Sequence, residues 1–140
     1  FVLENLKNEI SEIPRILDID FSQVREIRAF KPYMVSVFQN LISNAFKYRA
    51  PERDLKLKIK SSALQGKIIL VVSDNGRGID LEKHGGKLFK LYSRLHTDVP
   101  GTGLGLSMIQ EQVRVMGGNI QIESKEGEGT TFILTFTIKE

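Results

Sequence analysis

The chain has 140 residues, 41% of them hydrophobic, which is the size and apolar content of one domain around one core. With 20 Lys and Arg against 17 Asp and Glu the net charge is +3, a mild basic excess that suits an anionic ligand without demanding nucleic acid. The absence of cysteine excludes disulfides and thiolate metal sites, and two isolated histidines argue against zinc.

No apolar run approaches the roughly 20 residues of a membrane span. The opening FVLENLKNEI lacks the basic-then-apolar order of a signal peptide. A soluble fragment is expected, and its start at Phe1 reads as mid-helix, as though cut from a longer protein.

Val2, Leu3, Leu6 and Ile10 recur at helical spacing and Pro14 closes that segment, which predicts a short first helix. ILDID and VREIRAF alternate apolar and charged residues on either side of FSQ, which predicts an early hairpin. From Pro32, Met34, Phe38, Leu41, Ile42 and Ala45 line one face of a strong amphipathic helix. After the turn-like APERD, LKLKIK alternates Leu55, Leu57 and Ile59 with three lysines, as in a strand with one buried face. KIILVVSD is an unbroken apolar run, the pattern of a central strand covered on both faces, and it runs into the turn NGRGI.

Residues 79–100 are loop-like. Leu106, Ile109, Val113 and Met116 then mark a helix ended by Gly117 and Gly118. NIQIES and TTFILTFTI close the chain as two strands around the turn KEGEG. The predicted fold class is α/β: a two-layer sandwich in which helices cover one face of a mixed, mostly antiparallel sheet, in one domain over 1–140.

Three segments carry residues suited to chemistry. On the long helix Asn40, Asn44 and Lys47 share a polar stripe with Tyr48 at its border. An amide oxygen is a hard ligand that suits Mg²⁺ on a polyphosphate, and a solvated helix face is the plain alternative. Asp74 ends the most hydrophobic strand, where a carboxylate needs a partner such as a ligand's amine, although Asp-Asn-Gly is also ordinary turn chemistry. PGTGLGLS sets three glycines before a helix N-terminus, where backbone N–H groups can approach an anion, or where the chain merely enters a helix. As a dinucleotide fingerprint PGTGLGLS fails on glycine spacing and on the lack of a buried strand before it, despite Glu123 about 20 residues on.

Taken in order, FQNLISNAFKY, SDNGRGI, LFKLYSRLH, GTGLGL and GEGTTF resemble the catalytic and ATP-binding domain of sensor histidine kinases. These kinases lie within the superfamily of gyrase B, Hsp90 and MutL, and RLH close before GTGLGL is similar to the PAS-linked or phytochrome-related type. The resemblance covers nearly the whole chain and implies the Bergerat ATP-binding fold, with ATP and Mg²⁺ as cofactors.

By that resemblance Asn44 is a Mg²⁺ ligand, Asn40 supports the metal and phosphate region, and Lys47 contacts phosphate. Tyr48 lies against adenine and Asp74 accepts from its amino group. Gly76, Gly78 and Ile79 shape the pocket, and Thr130 assists through the same network. Gly101, Thr102, Gly103, Leu104, Gly105 and Leu106 line the phosphates. Residues from about 80 to 100 form a lid, with Phe89 and Tyr92 as its latch and Arg94 as a phosphate contact; Tyr92 stands where a second phenylalanine is common.

The hydrolytic members place a glutamate as water-activating base where this chain has Asn40, which favours phosphoryl transfer to another nucleophile. His84 in EKHGG and His96 in RLHTD lack the surroundings of the family's phosphoacceptor. The dimerisation helices that bear the acceptor are therefore expected N-terminal to Phe1, and this fragment alone is not expected to autophosphorylate. The implied partners are the dimerisation and phosphotransfer domain of the same protein and a downstream response regulator, with no nucleic acid. The implied location is the cytoplasm, with membrane anchoring of the parent left open. The alternatives are a degenerate nucleotide-sensing or docking module, and an anti-sigma-type serine kinase or clamp ATPase.

Overall fold

The computed structural model describes residues 15–84 and 105–137. Its strands are β1 (Arg15–Asp20), β2 (Leu55–Leu64), β3 (Lys67–Asp74), β4 (Gly118–Lys125) and β5 (Gly129–Thr137), in one sheet of order β1-β2-β3-β5-β4. The helices are α1 (Lys31–Lys47), the single turn α2 (Leu81–His84) and α3 (Gly105–Val115). Three of the pairings are antiparallel and β1 runs parallel to β2, so the sheet is mixed and mostly antiparallel.

Each element follows from its sequence pattern. In β2 Leu55, Leu57 and Ile59 turn inward and the lysines between them outward. Gln65 and Gly66, both at positive φ, close the two-residue hairpin to β3. Helix α1 enters through Pro32, which has no N–H to lose, while the Phe30 carbonyl accepts from the N–H groups of Tyr33 and Met34. Helix α3 stops where Gly117 takes φ +79 and its N–H turns back to the Arg114 carbonyl.

The core lies between the helices and one sheet face. Met34, Val37, Leu41, Ile42, Ala45 and Phe46 of α1 and Ile109 and Val113 of α3 meet Leu55, Leu57, Ile59, Leu70, Val72, Phe132, Leu134 and Phe136. Fully burying one such aliphatic side chain contributes roughly 1.5–3 kcal/mol, so this layer outweighs any surface ion pair. Among the described residues, no helix is long and apolar enough to cross a membrane.

Two expectations are corrected. VREIRAF forms no strand and no hairpin with ILDID: β1 pairs in parallel with β2, with α1 as the crossover between them. Residues 24–30 are an extended connection, anchored where Ser61 Oγ donates to the Val24 carbonyl at 2.6 Å and where Ile27 packs on the core. Short alternation is shared by strands and by such connections. Nor, among the described residues, do helices cover β3 on both faces. Ile69 and Val71 lie on the face away from the described helices, half-buried, with neighbours there that include Ile133, Thr135 and Lys60, whose stem is apolar. The predicted first helix and most of the predicted lid fall outside the described residues.

Candidate functional site

β3 ends at Asp74, paired with Thr130 of β5 on one side and Leu57 of β2 on the other. Burial pushes the Asp74 carboxyl up to about 6, against the opposing pull of backbone N–H groups from Gly76 and Thr130. The Gly76 N–H donates to Asp74 Oδ1 at 2.8 Å. A carboxylate held this way is half-desolvated and oriented, with no described cation bonded to it. It is suited to accept from a neutral donor such as an amine.

The surrounding turns are locked at short range. A side chain on Gly76 would come within 2.6 Å of the Tyr48 carbonyl and 2.9 Å of Asp74 Oδ1. One on Gly78, at φ +69, would run into the Lys125 carbonyl, and one on Gly129, at φ +136, into the Asp74 carbonyl. The Ile79 N–H donates to Ser124 Oγ at 2.8 Å, and Ser124 Oγ donates to the Gly129 carbonyl at 2.9 Å. With the one Ser124 proton so used, the Thr130 hydroxyl is the donor in its 2.8 Å bond with Ser124. Thr130 Oγ1 therefore keeps its acceptor capacity.

Helix α1 meets this turn at its C-terminal end. The Arg77 N–H donates to the Tyr48 carbonyl at 2.9 Å. Asn44 and Lys47 lie within one helical turn of Tyr48, and Asn40 one turn earlier. Gln112 of α3 donates to Ser36 of α1 at 3.1 Å, and Val115 and Met116 line a cleft with Tyr33. The two helices are thus antiparallel. The N-terminus of α3 consequently lies toward the C-terminal half of α1, the half that carries Asn40, Asn44 and Lys47. Among the described residues, no group of three or more His, Cys, Asp or Glu gathers to hold a metal. A metal here would draw most of its ligands from a bound anion and water, as Mg²⁺ does, and the Asn44 amide oxygen fits that ligand set.

A family profile described as "Histidine kinase-, DNA gyrase B-, and HSP90-like ATPase" matches residues 31–140. The chain belongs to this ATPase family. Cyanobacterial phytochrome A of Nostoc sp. is 33% identical over 138 residues, which are 97% of this chain and 18% of that protein. Sensor protein RprX of Bacteroides fragilis is 36% identical over 116 residues, 80% of this chain and 22% of that one. The catalytic domain of histidine kinase ThkA, in a nucleotide-free form, superposes with a TM-score of 0.77 at 26% identity, covering 97% of this chain and 87% of that domain. This ATPase-family domain is homologous to the catalytic domains of sensor histidine kinases, and it spans about a fifth of the curated relatives it matches.

In the ATPase-family domain the structure brings Tyr48, Asp74, Gly76, Gly78, Ile79 and Thr130 to one end of the sheet, with Asn40, Asn44 and Lys47 on the helix that reaches it. Gly105 and Leu106 open α3. Phe89, Tyr92, Arg94, Gly101, Thr102, Gly103, Leu104 and His96 lie outside the described residues, and His84 ends α2. Sequence patterns missed Arg53, Asn75, Ser124 and Gly129. Asn75 Oδ1 accepts from the Lys56 N–H at 2.7 Å and its amide donates to the Asp54 carbonyl at 3.1 Å, tying the turn to the start of β2. The only signal for Gly129 was its place in GEGTTF.

Proposed function

We propose that this domain binds ATP with Mg²⁺ and, within a longer two-component sensor kinase, donates the γ-phosphoryl group to a histidine on a dimerisation domain of the same protein, from which a response regulator takes it. The observation that supports this best is the oriented, half-desolvated Asp74 carboxylate beside Thr130, an acceptor matched to the amino group of adenine. In this role Gly76 and Gly78, which let the turn pack against the Tyr48 and Lys125 carbonyls, shape the pocket with Ile79, and Tyr48 lies against the base. Lys47 and the N-terminus of α3, with the loop of Gly101, Thr102, Gly103, Leu104, Gly105 and Leu106, hold the phosphates. Phe89, Tyr92 and Arg94 belong to the lid.

The residues available to a metal are Asn44 directly and Asn40 beside it; bound Mg²⁺ supplies neutralisation of phosphate charge. The chain contributes positioning and electrostatics, and with Asn40 in place of a glutamate it has no side chain there to take a proton from water. That favours transfer to an external imidazole over hydrolysis. ATP and the receiver protein put the domain in the cytoplasm.

The test combines the domain with a separately made helical domain carrying the acceptor histidine, and labelled ATP. Acid-labile label on that histidine, lost when it is replaced by alanine, is the expected result. Steady phosphate release by this domain alone, with no label transferred, would favour a clamp ATPase instead.

A further inference from the structure

Arg53, in the connection between α1 and β2, spans two turns at once. Its Nε donates to the Asn75 carbonyl at 2.7 Å, and Nη2 donates to the carbonyls of Gly76 at 2.8 Å and Gly127 at 2.9 Å. Nη1 meets the exposed Glu52 carboxylate at 3.0 Å. One guanidinium fork therefore gathers three carbonyls, two from the turn after Asp74 and one from the turn between β4 and β5.

The consequence follows from the planarity of the peptide unit. In a trans peptide the C=O and N–H point in opposite directions. The Asn75 carbonyl that accepts from Arg53 belongs to the same peptide as the Gly76 N–H, which donates to Asp74 Oδ1. The Gly76 carbonyl belongs to the same peptide as the Arg77 N–H, which donates to the Tyr48 carbonyl. By fixing the outer end of both units, Arg53 aims one N–H at the base-recognising carboxylate and the other at the C-terminus of α1. A charged donor on each carbonyl also polarises the peptide and strengthens the bond at its far end.

We propose that Arg53 is a positioning residue for purine recognition: through the peptides 75–76 and 76–77 it holds the Asp74 carboxylate in the orientation that selects a 6-amino purine. This role rests on the nucleotide binding proposed above, and it adds to that function a residue that touches no ligand. Lysine cannot replace it, because a single ammonium on a longer stem does not reproduce the planar pair of donors that Nε and Nη2 present to consecutive carbonyls.

The test measures dissociation constants for ATP and for inosine triphosphate, whose 6-oxo group offers Asp74 no amine, in wild type, Arg53→Lys and Arg53→Ala. Wild type should prefer ATP. In both variants ATP binding should weaken about tenfold, the scale of a disturbed hydrogen bond to a charged group, while inosine triphosphate changes by less than about threefold, so the preference collapses. Equal weakening of both nucleotides would mean that Arg53 merely stabilises the loops, and unchanged preference with a lowered Tm would mean the same; either overturns the proposal. If Arg53→Ala fails to fold, Arg53→Lys alone decides between these results. A wild type that binds neither nucleotide, or both equally, would count against the proposed function itself.

Discussion

Asp74 and Asn44 are expected at opposite ends of one ligand, yet the protein holds them in different ways. Asp74 is fixed by its surroundings: a backbone N–H on its carboxylate, a strand partner in Thr130, and glycines whose neighbours leave no room for a methyl group. Asn40, Asn44 and Lys47 project from a helix whose buried face does the structural work, and no hydrogen bond joins their side chains to another described residue. The difference separates two tasks. In the proposed role, a base of fixed shape would be recognised by a preorganised acceptor, whereas phosphates and their cation would be met by side chains that can settle around them.

The largest effect should come from removing the space that the rigid end requires. Gly129→Ala places a methyl group against the Asp74 carbonyl at a φ that only glycine adopts readily, and should cost about 3 kcal/mol or more in urea unfolding, or prevent folding. Gly66→Ala is the control: it also has positive φ but nothing within 4 Å, and should cost about 1 kcal/mol. Similar losses at both sites would show that tight packing is not what distinguishes the site.

Asp74→Asn should act next most strongly, and with opposite signs on binding and on stability. Losing the charged acceptor should weaken ATP binding about 30- to 100-fold, read by calorimetry. The folded pKa, about 6, lies above the ordinary value of 3.8. The stability linked to this group is therefore fully present below pH 3.8 and is lost as the pH rises through 6. Between pH 4 and 7 the wild type should lose about 2 kcal/mol relative to the variant, after allowance for partial solvent access. Parallel pH profiles would refute the desolvated carboxylate.

The adaptable end should give the smallest changes. Asn44→Ala should remove roughly tenfold of Mg²⁺-dependent nucleotide affinity, leave binding in chelator unchanged, and shift Tm little. Lys47→Ala should lower affinity about two- to threefold, with the deficit shrinking as salt rises. An equal loss with and without Mg²⁺ for Asn44→Ala would mean that its amide contacts the nucleotide rather than the cation.

Much of this arrangement was legible in the sequence because periodicity reports burial. Met34 to Ala45 announced α1, Leu55 to Ile59 announced β2, and the glycines at 117 and 118 marked the end of α3. Asp74 stood out as a charge ending an apolar run. The parallel placement of β1 was not legible, since strand direction is set by the crossover through α1 and leaves no mark on the six residues themselves. Arg53 was hidden for a related reason. Its partners are backbone carbonyls 22, 23 and 74 residues away, and a carbonyl carries no residue identity.

The connection formed by residues 48–54 works as a clasp. It begins with the Tyr48 carbonyl on the Arg77 N–H and ends with Asp54 on the Asn75 amide, so both of its ends are pinned to the same turn. The bond at its first end, from the Arg77 N–H to the Tyr48 carbonyl, sets how far the C-terminus of α1 stands from the turn after Asp74. A residue inserted between the two pinned ends would bulge outward and leave that span, with the core and the sheet, as it is.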